Sequence, residues 1–279
     1  MTMPIVANQM EKPAKLKNGG VISGRLVFAE LSEQGNQRAR ELAIEAADLA
    51  FADGDGKPLE AMPFHNEMSD AVFMAGPILA RAGSLTGNPK YLDQSIRQLR
   101  FIRNLCLRQD ELYRHSPLHE AAWGRGNGFP AIGIAMMLEH LPENHEDYTF
   151  CIECLQDHLR ALKPHQDENG MWHQVIDHPE SYAEFTCTCM ISYAILVGIR
   201  NGWLSKDEWK PAIEKSWQAV KGRISLSGKE VYGACTGTGK QKSLDAYFMR
   251  KEINGYDDRG GAMALLFASE MKRFLSEGE

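Results

Sequence analysis

Apolar positions recur at i, i+3, i+4 and i+7 through windows spanning 21–31, 38–51, 71–82, 91–107, 132–141, 147–162, 187–200, 206–220 and about 260–274. Each window predicts an amphipathic helix. Strand-like alternation is confined to short pieces near 172–176 and 223–232. Polar breaks at 33–37, 86–90, 142–147 and 204–208 separate the helices. They recur roughly every 50 to 60 residues and read as the tight turns of helix pairs. Asn88, Asn144 and Ser205 are the N-cap candidates. A repeated helical hairpin builds either an open solenoid or a closed toroid.

Composition narrows the class. The chain has 279 residues, 43% of them hydrophobic, and a formal charge of −6. This suits one large domain with a sizeable core. Mild acidity and the lack of a dense Lys/Arg run argue against nucleic acid as a partner. Residues 1–17 hold no apolar core of signal-peptide length, and no stretch is long enough to span a membrane, so a cytoplasmic location is expected. The six cysteines fit that compartment as free thiols. Cys151 with Cys154 and Cys187 with Cys189 fall inside helical patterns, without a second pair or a His cluster at zinc spacing, and read as core. No metal or other cofactor is expected.

The densest chemistry lies in Trp123-Gly124-Arg125-Gly126-Asn127-Gly128-Phe129, directly before an apolar helical run. An indole face and a guanidinium fork suit a sugar acid, and the glycines permit close backbone approach or positive φ at a loop-to-helix junction. A Gly-rich turn with a packed Trp and a surface Arg explains the same residues without a ligand. Asp70 precedes another apolar run, with His65 and Glu67 in the same pre-helical stretch, and a helix-capping role is its plain alternative. Gly237-Thr238-Gly239-Lys240 lacks the spacing and the following Ser or Thr of a phosphate loop. Asp257 and Asp258 read as helix-entry carboxylates rather than a metal pair.

Four ordered segments carry a family resemblance. The Trp123–Phe129 motif resembles the W-x-R-G-N-G-W signature of glycoside hydrolase family 105, the unsaturated rhamnogalacturonyl hydrolases, which are related to the family 88 unsaturated glucuronyl hydrolases. Ser69 to Met74 is similar to that family's W-x-D-x-x-x-M segment. Gly170 to Val175, followed by Ser181 to Thr186, resembles its G-M-W-H-Q-V and S-Y-x-E-T-S pair. Gly233 to Gly239 resembles its G-x-C-x-G-T-G loop.

The resemblance implies an all-α (α/α)6 toroid built from helical hairpins, with a single glycosidase domain over 19–279 behind an irregular segment at 1–18. Segments 107–123, 165–184 and 223–257 then become loops at one rim, where binding residues gather. It also implies removal of a 4,5-unsaturated uronic acid from the non-reducing end of lyase-generated oligosaccharides, rhamnogalacturonan fragments foremost, by hydration of the C4=C5 bond. Asp70 matches the catalytic aspartate. Trp123 and Arg125 would hold the ring and its carboxylate, and His115, His173, Tyr182, Asn127 and His65 would bind or orient the substrate. Tyr182 and Thr186, one turn apart, are expected to face the interior, with Glu184 pointing elsewhere.

There are departures from the pattern. Only about four and a half helix pairs are countable, so the family's first hairpin is expected to be absent. The family's second aspartate has no counterpart in 15–25, where Asn18 is the nearest polar candidate, and Met68 replaces a tryptophan. The alternatives are a non-catalytic relative that binds unsaturated oligosaccharides and a toroid sugar epimerase. An uncovered apolar face on the helices at 21–31 and 38–51 predicts a homodimer. The other possibility is that 1–18 folds back across the gap, against which Pro4, Pro13 and the scattered lysines weigh.

Overall fold

The computed structural model describes residues 2–52, 56–64 and 67–276. Two kinds of helix divide the structure. The helices α5 (Ala71–Thr86), α7 (Gly124–Leu138) and α9 (Phe185–Arg200) are buried along most of their length, whereas α4 (Gln37–Asp48), α6 (Pro89–Cys106), α8 (Tyr148–Leu162) and α10 (Lys206–Lys221) bury one stripe. A helix apolar all round needs neighbours on every side, and an amphipathic one needs neighbours on one face only. The packing follows. The short α2 (Gly19–Gly24) and α3 (Leu26–Glu33) lie against α5, α5 against α7, α7 against α9, and α9 against α12 (Asp258–Ser276). These inner helices are backed in turn by α4, α6, α8 and α10. Each outer helix is paired with an inner one, which is the layering of an (α/α) toroid.

The helix boundaries match the sequence pattern closely, with instructive exceptions. Asn88 and Ser205 cap α6 and α10, accepting from Lys90 N at 3.1 Å and Glu208 N at 3.4 Å. Asn144 does not cap; α8 begins after Asp147 without a side-chain cap bond. The window at 21–31 splits at Arg25 into α2 and α3. The segment expected to be irregular instead forms α1 (Thr2–Glu11), which packs on α4. Val6, Met10 and Leu16 cover the cluster of Phe28, Leu42, Ala43 and Ala46, and Arg25 Nη2 donates to Ala14 O at 2.9 Å. The apolar face on which a homodimer was expected thus lies under the chain's own N-terminal helix. The physical reason is local: Val6 and Met10 fall one helical turn apart and present a matching stripe.

All six cysteines are buried free thiols. The strand content among the described residues is one antiparallel pair, β1 (Val231–Cys235) with β2 (Glu252–Gly255), and isolated bridges such as Trp123 with Val175 and His173 with Ala183. Between the β-strands lies a five-residue helix, α11 (Leu244–Phe248).

One glycine fixes the crossing that presents the candidate acid. A Cβ on Gly133 of α7 would sit 2.8 Å from Phe73 N and 2.9 Å from the carbonyl carbon of Val72, both backbone atoms of the first turn of α5. Backbone cannot rotate away as a side chain can. Gly133→Ala is therefore expected to cost about 1–3 kcal/mol of stability by overpacking. It would also displace the turn beginning at Asp70, so turnover should fall along with the denaturation midpoint. Wild-type turnover in a destabilised variant would separate that turn from the chemistry.

Candidate active site

The Gly-rich motif is not a loop. Trp123 is the N-cap of α7, and Gly124, Gly126 and Gly128 occupy its first two turns with ordinary helical φ. Their smallness serves contact alone. A Cβ would meet His173 O at 2.5 Å on Gly124, Ser69 Oγ at 3.0 Å and the Trp123 ring at 3.1 Å on Gly126, and Met190 Cβ at 3.1 Å on Gly128. The positive-φ role expected of these glycines is replaced by close approach of three neighbouring segments.

Asp70 immediately precedes α5 and is helical in conformation, yet its side chain makes no capping bond. The plain capping explanation fails on that observation. Its Oδ2 lies 3.3 Å from His115 Nε2, and both atoms are sealed from solvent with no hydrogen bond of good geometry. His115 itself is fully buried. Ser69 N donates to His115 O at 3.0 Å, so the histidine's own backbone holds the residue next to Asp70. The imidazole packs 4.4 Å from the Trp123 ring, and its Nδ1 lies 3.0 Å from the Tyr247 hydroxyl.

Trp123 is almost completely enclosed, with its ring engaged by His115 and by the Arg125 guanidinium at 4.6 Å. It packs within the site and offers no open face, while its Nε1 is buried without an acceptor. Arg125 also departs from expectation. Nη1 donates to Cys235 O at 2.7 Å and to Thr186 Oγ1 at 3.2 Å, and Nη2 to Thr236 O at 2.9 Å. The fork expected on a sugar carboxylate closes on main-chain carbonyls and ties down the 233–239 loop. The segment that carries those carbonyls is paired through β1 with β2, a long-range arrangement that no local pattern reports.

Two further residues are committed to partners within the fold. Asn127 spends its amide within the fold: Oδ1 accepts from Tyr113 N at 2.8 Å, and Nδ2 donates to Tyr113 O at 2.9 Å and Trp123 O at 3.0 Å. His173 has Nδ1 on Ser181 O at 2.6 Å and Nε2 on Asp167 Oδ2 at 3.1 Å, leaving no ring nitrogen for a ligand. Both side chains pair groups of neighbouring segments that would otherwise be buried without partners. His65 lies outside the described residues. Asn18 caps α2 through Val21 N at 2.9 Å, and so its amide is committed to the helix. Tyr182 packs against the cluster that holds Trp123, with its hydroxyl buried. Burial first, and the neighbouring Cys235 thiol second, hold that phenol well above its ordinary pKa.

Sequence reading missed Glu184 and Tyr247. Glu184 is fully buried and caps α9. Its carboxylate accepts from Thr186 N at 3.1 Å, Cys187 N at 2.6 Å and Cys235 N at 2.7 Å, with the Thr186 hydroxyl at 2.7 Å. Arg125, Thr186 and Glu184 therefore form one hydrogen-bonded chain across the site. A carboxylate two and three residues ahead of a helix's first amides was a readable capping signal. Tyr247 carried no such signal, because its helix is too short for periodicity to show.

Beside this cluster opens a cleft of about 720 Å³, lined by Arg108, Arg114, His119, Glu120, Asp177 and Leu244 among others. Asp70, Trp123 and Arg125 do not line it. It borders the cluster through Ala121, packed with Trp123, and through His119, whose ring lies 6.4 Å from that of Tyr247. Among the described residues no group of three or more His, Cys, Asp and Glu side chains is placed to hold a metal ion. No helix of the described residues is long and apolar enough to cross a membrane.

The profile of Glycosyl Hydrolase Family 88 matches residues 4–275. The chain belongs to that family. Among its relatives, the unsaturated 3S-rhamnoglycuronyl hydrolase of Alteromonas sp. (strain LOR) is 30% identical over 58% of this chain and 42% of that protein. The unsaturated rhamnogalacturonyl hydrolase YesR of Bacillus subtilis (strain 168) is 28% identical over 73% of this chain and 59% of its own length. The chain thus spans about half the length of these curated relatives. A solved structure from Klebsiella pneumoniae, described as a possible member of family 105, superposes with a TM-score of 0.84 at 26% identity, covering 97% of this chain and 75% of that one. The unsaturated glucuronyl hydrolase of Bacillus sp. GL1 shares the fold at a TM-score of 0.67 and 16% identity, over 93% and 75% of the two chains. This family 88 chain is accordingly an all-α toroid of the kind that the family resemblance implied.

Arg125 gives a direct test of the loop clamp. Arg125→Lys replaces a planar fork by a point charge that cannot satisfy two carbonyls and a hydroxyl together. The expected loss is about 1–3 kcal/mol of stability, with faster proteolysis confined to 233–243. An unchanged melting temperature and an intact loop would assign the guanidinium to something other than the fold.

Proposed function

We propose that this chain is a glycosidase that removes a 4,5-unsaturated uronic acid from the non-reducing end of oligosaccharides left by polysaccharide lyases. Rhamnogalacturonan fragments are the first choice of substrate. Asp70 is the acid and then the base. In its protonated form it gives a proton to C4 of the enol ether, the ring oxygen shares the positive charge that develops at C5, and water adds there while the carboxylate takes a proton from that water. The hemiketal so formed opens, and the neighbouring sugar leaves. One carboxyl group suffices, unlike ordinary glycoside hydrolysis with its flanking pair.

The observation that carries this reading is Asp70 itself: a nearly buried carboxylate at a helix start that caps nothing and faces a histidine. The surroundings support it. Ser69 Oγ, His115 Nε2, Trp123 Nε1 and Tyr182 Oη are all buried without hydrogen bonds, which is unusual density for a native interior and suits a polyhydroxylated ligand. The names of the relatives point to the same chemistry. Incubation with a lyase-generated unsaturated disaccharide tests it, since hydration destroys the ultraviolet chromophore of the conjugated double bond. Binding without loss of absorbance would favour the non-catalytic relative, and neither binding nor loss would leave the epimerase.

A further inference from the structure

Tyr247 ties His115, which faces Asp70, to the loop that carries Gln174. It sits on α11, between β1 and β2, with its side chain fully buried. Two bonds fix it at opposite ends. Its main-chain carbonyl accepts from Gln174 Nε2 at 2.7 Å, and its hydroxyl lies 3.0 Å from His115 Nδ1. Burial above all, with Asp70 adding to it, pushes this phenol up to about 12, so the proton stays on oxygen across the physiological range.

These contacts decide a tautomer. A neutral imidazole carries one N–H, and which nitrogen bears it is set by the bond the other makes. Nε2 faces the Asp70 carboxylate oxygen Oδ2 at 3.3 Å, so the ring proton belongs on Nε2, and Nδ1 is left to accept from the Tyr247 O–H. Both Nε2 and Oδ2 are enclosed and make no hydrogen bond among the described residues, so each is the other's nearest polar counterpart by charge. The Nδ1–H tautomer would instead turn a lone pair toward that carboxylate.

We propose that Tyr247 is a positioning residue for the proton transfer. Its O–H holds His115 as the Nε2–H tautomer, His115 in turn holds Asp70 Oδ2, and Asp70 Oδ1 is the oxygen that delivers the proton to C4 and takes one back. The inference rests on the reading of Asp70 as acid and base. Among the described residues, Asp70 and Tyr247 are the titratable groups paired with the His115 ring nitrogens, and the Cys106 thiol is pushed up to about 12 by burial and so stays neutral.

Tyr247→Phe keeps the ring and removes only the hydroxyl. The expected result is a fall in kcat of about tenfold to a hundredfold with KM within about threefold. Nitrogen-15 shifts of the His115 imidazole should show the Nε2–H form in the parent chain and lose that bias in the variant. In a His115→Gln background the same substitution should cost less than about twofold, since Tyr247 would then have nothing to hold. A kcat within twofold of the parent, an unchanged tautomer, or an equal loss in both backgrounds would overturn the proposal. Failure of the Asp70 reading shows up separately, as persistence of the chromophore in the parent chain, while the tautomer measurement still tests the Tyr247–His115 contact.

Discussion

Asp70→Asn is expected to lower turnover of an unsaturated uronide by at least about 10²–10⁴-fold while leaving its binding within about tenfold. The amide is isosteric, and it can keep contact with His115, but it cannot give up a proton to carbon. Folding should be nearly untouched. The Asp70 side chain caps no amide and its Oδ2 is buried without a hydrogen bond, so exchanging the charge removes a desolvation penalty while losing a helix-terminus interaction of about 0.3–1 kcal/mol. The two terms oppose each other and leave the melting temperature close to that of the parent. Initial rates from loss of ultraviolet absorbance, together with calorimetric binding, read both quantities. A residual rate above about a tenth of the parent would take Asp70 out of the catalytic role.

Glu184→Ala should produce the largest loss of stability. Three buried amides, of Thr186, Cys187 and Cys235, donate to this one carboxylate. Removing it leaves them without partners at about 1–3 kcal/mol each, and the surroundings relax only in part, so a net cost of about 3–5 kcal/mol is expected. That is a large fraction of the usual stability of a domain. The damage should not stay local. Cys235 ends β1, and the carbonyls of Cys235 and Thr236 hold Arg125, so release of the Cys235 amide also loosens the guanidinium beside Trp123. Glu184→Gln keeps one acceptor oxygen but turns an NH2 group toward donors, and should cost about half as much. Chemical denaturation measures the difference. A loss below about 1 kcal/mol for the alanine variant would mean that the capping bonds are replaced by water or by neighbouring groups.

The two predictions come from different kinds of information. Asp70 could be singled out from the chain because a carboxylate before an apolar run, with a Gly-rich aromatic motif downstream, matched a family pattern. Glu184 could have been found by its capping register, yet its more consequential bond, to Cys235 N at 2.7 Å, joins residues 51 positions apart. Arg125 shows how a motif legible in the chain leaves its partner open. Its position before an apolar helix was legible, but whether its fork meets a sugar acid or a carbonyl depends on where β1 lies.

By itself, the sequence determined the helical pairs, their turns and the all-α class, because a 3.6-residue period and Asn or Ser caps act over a few neighbouring positions. The windows in α5, α7 and α9 predict only amphipathic helices; their enclosure along most of their length comes from the neighbours packed around them. Tertiary structure decided what lay between elements. It packed α1 onto α4, drew the glycines of α7 against backbone, and closed Arg125 on the 233–239 loop. It also brought Tyr247 from a five-residue helix to within 3.0 Å of His115. Contacts of that range are fixed by burial and by the need to pair every enclosed polar group, conditions imposed by the whole fold rather than by any stretch of the chain.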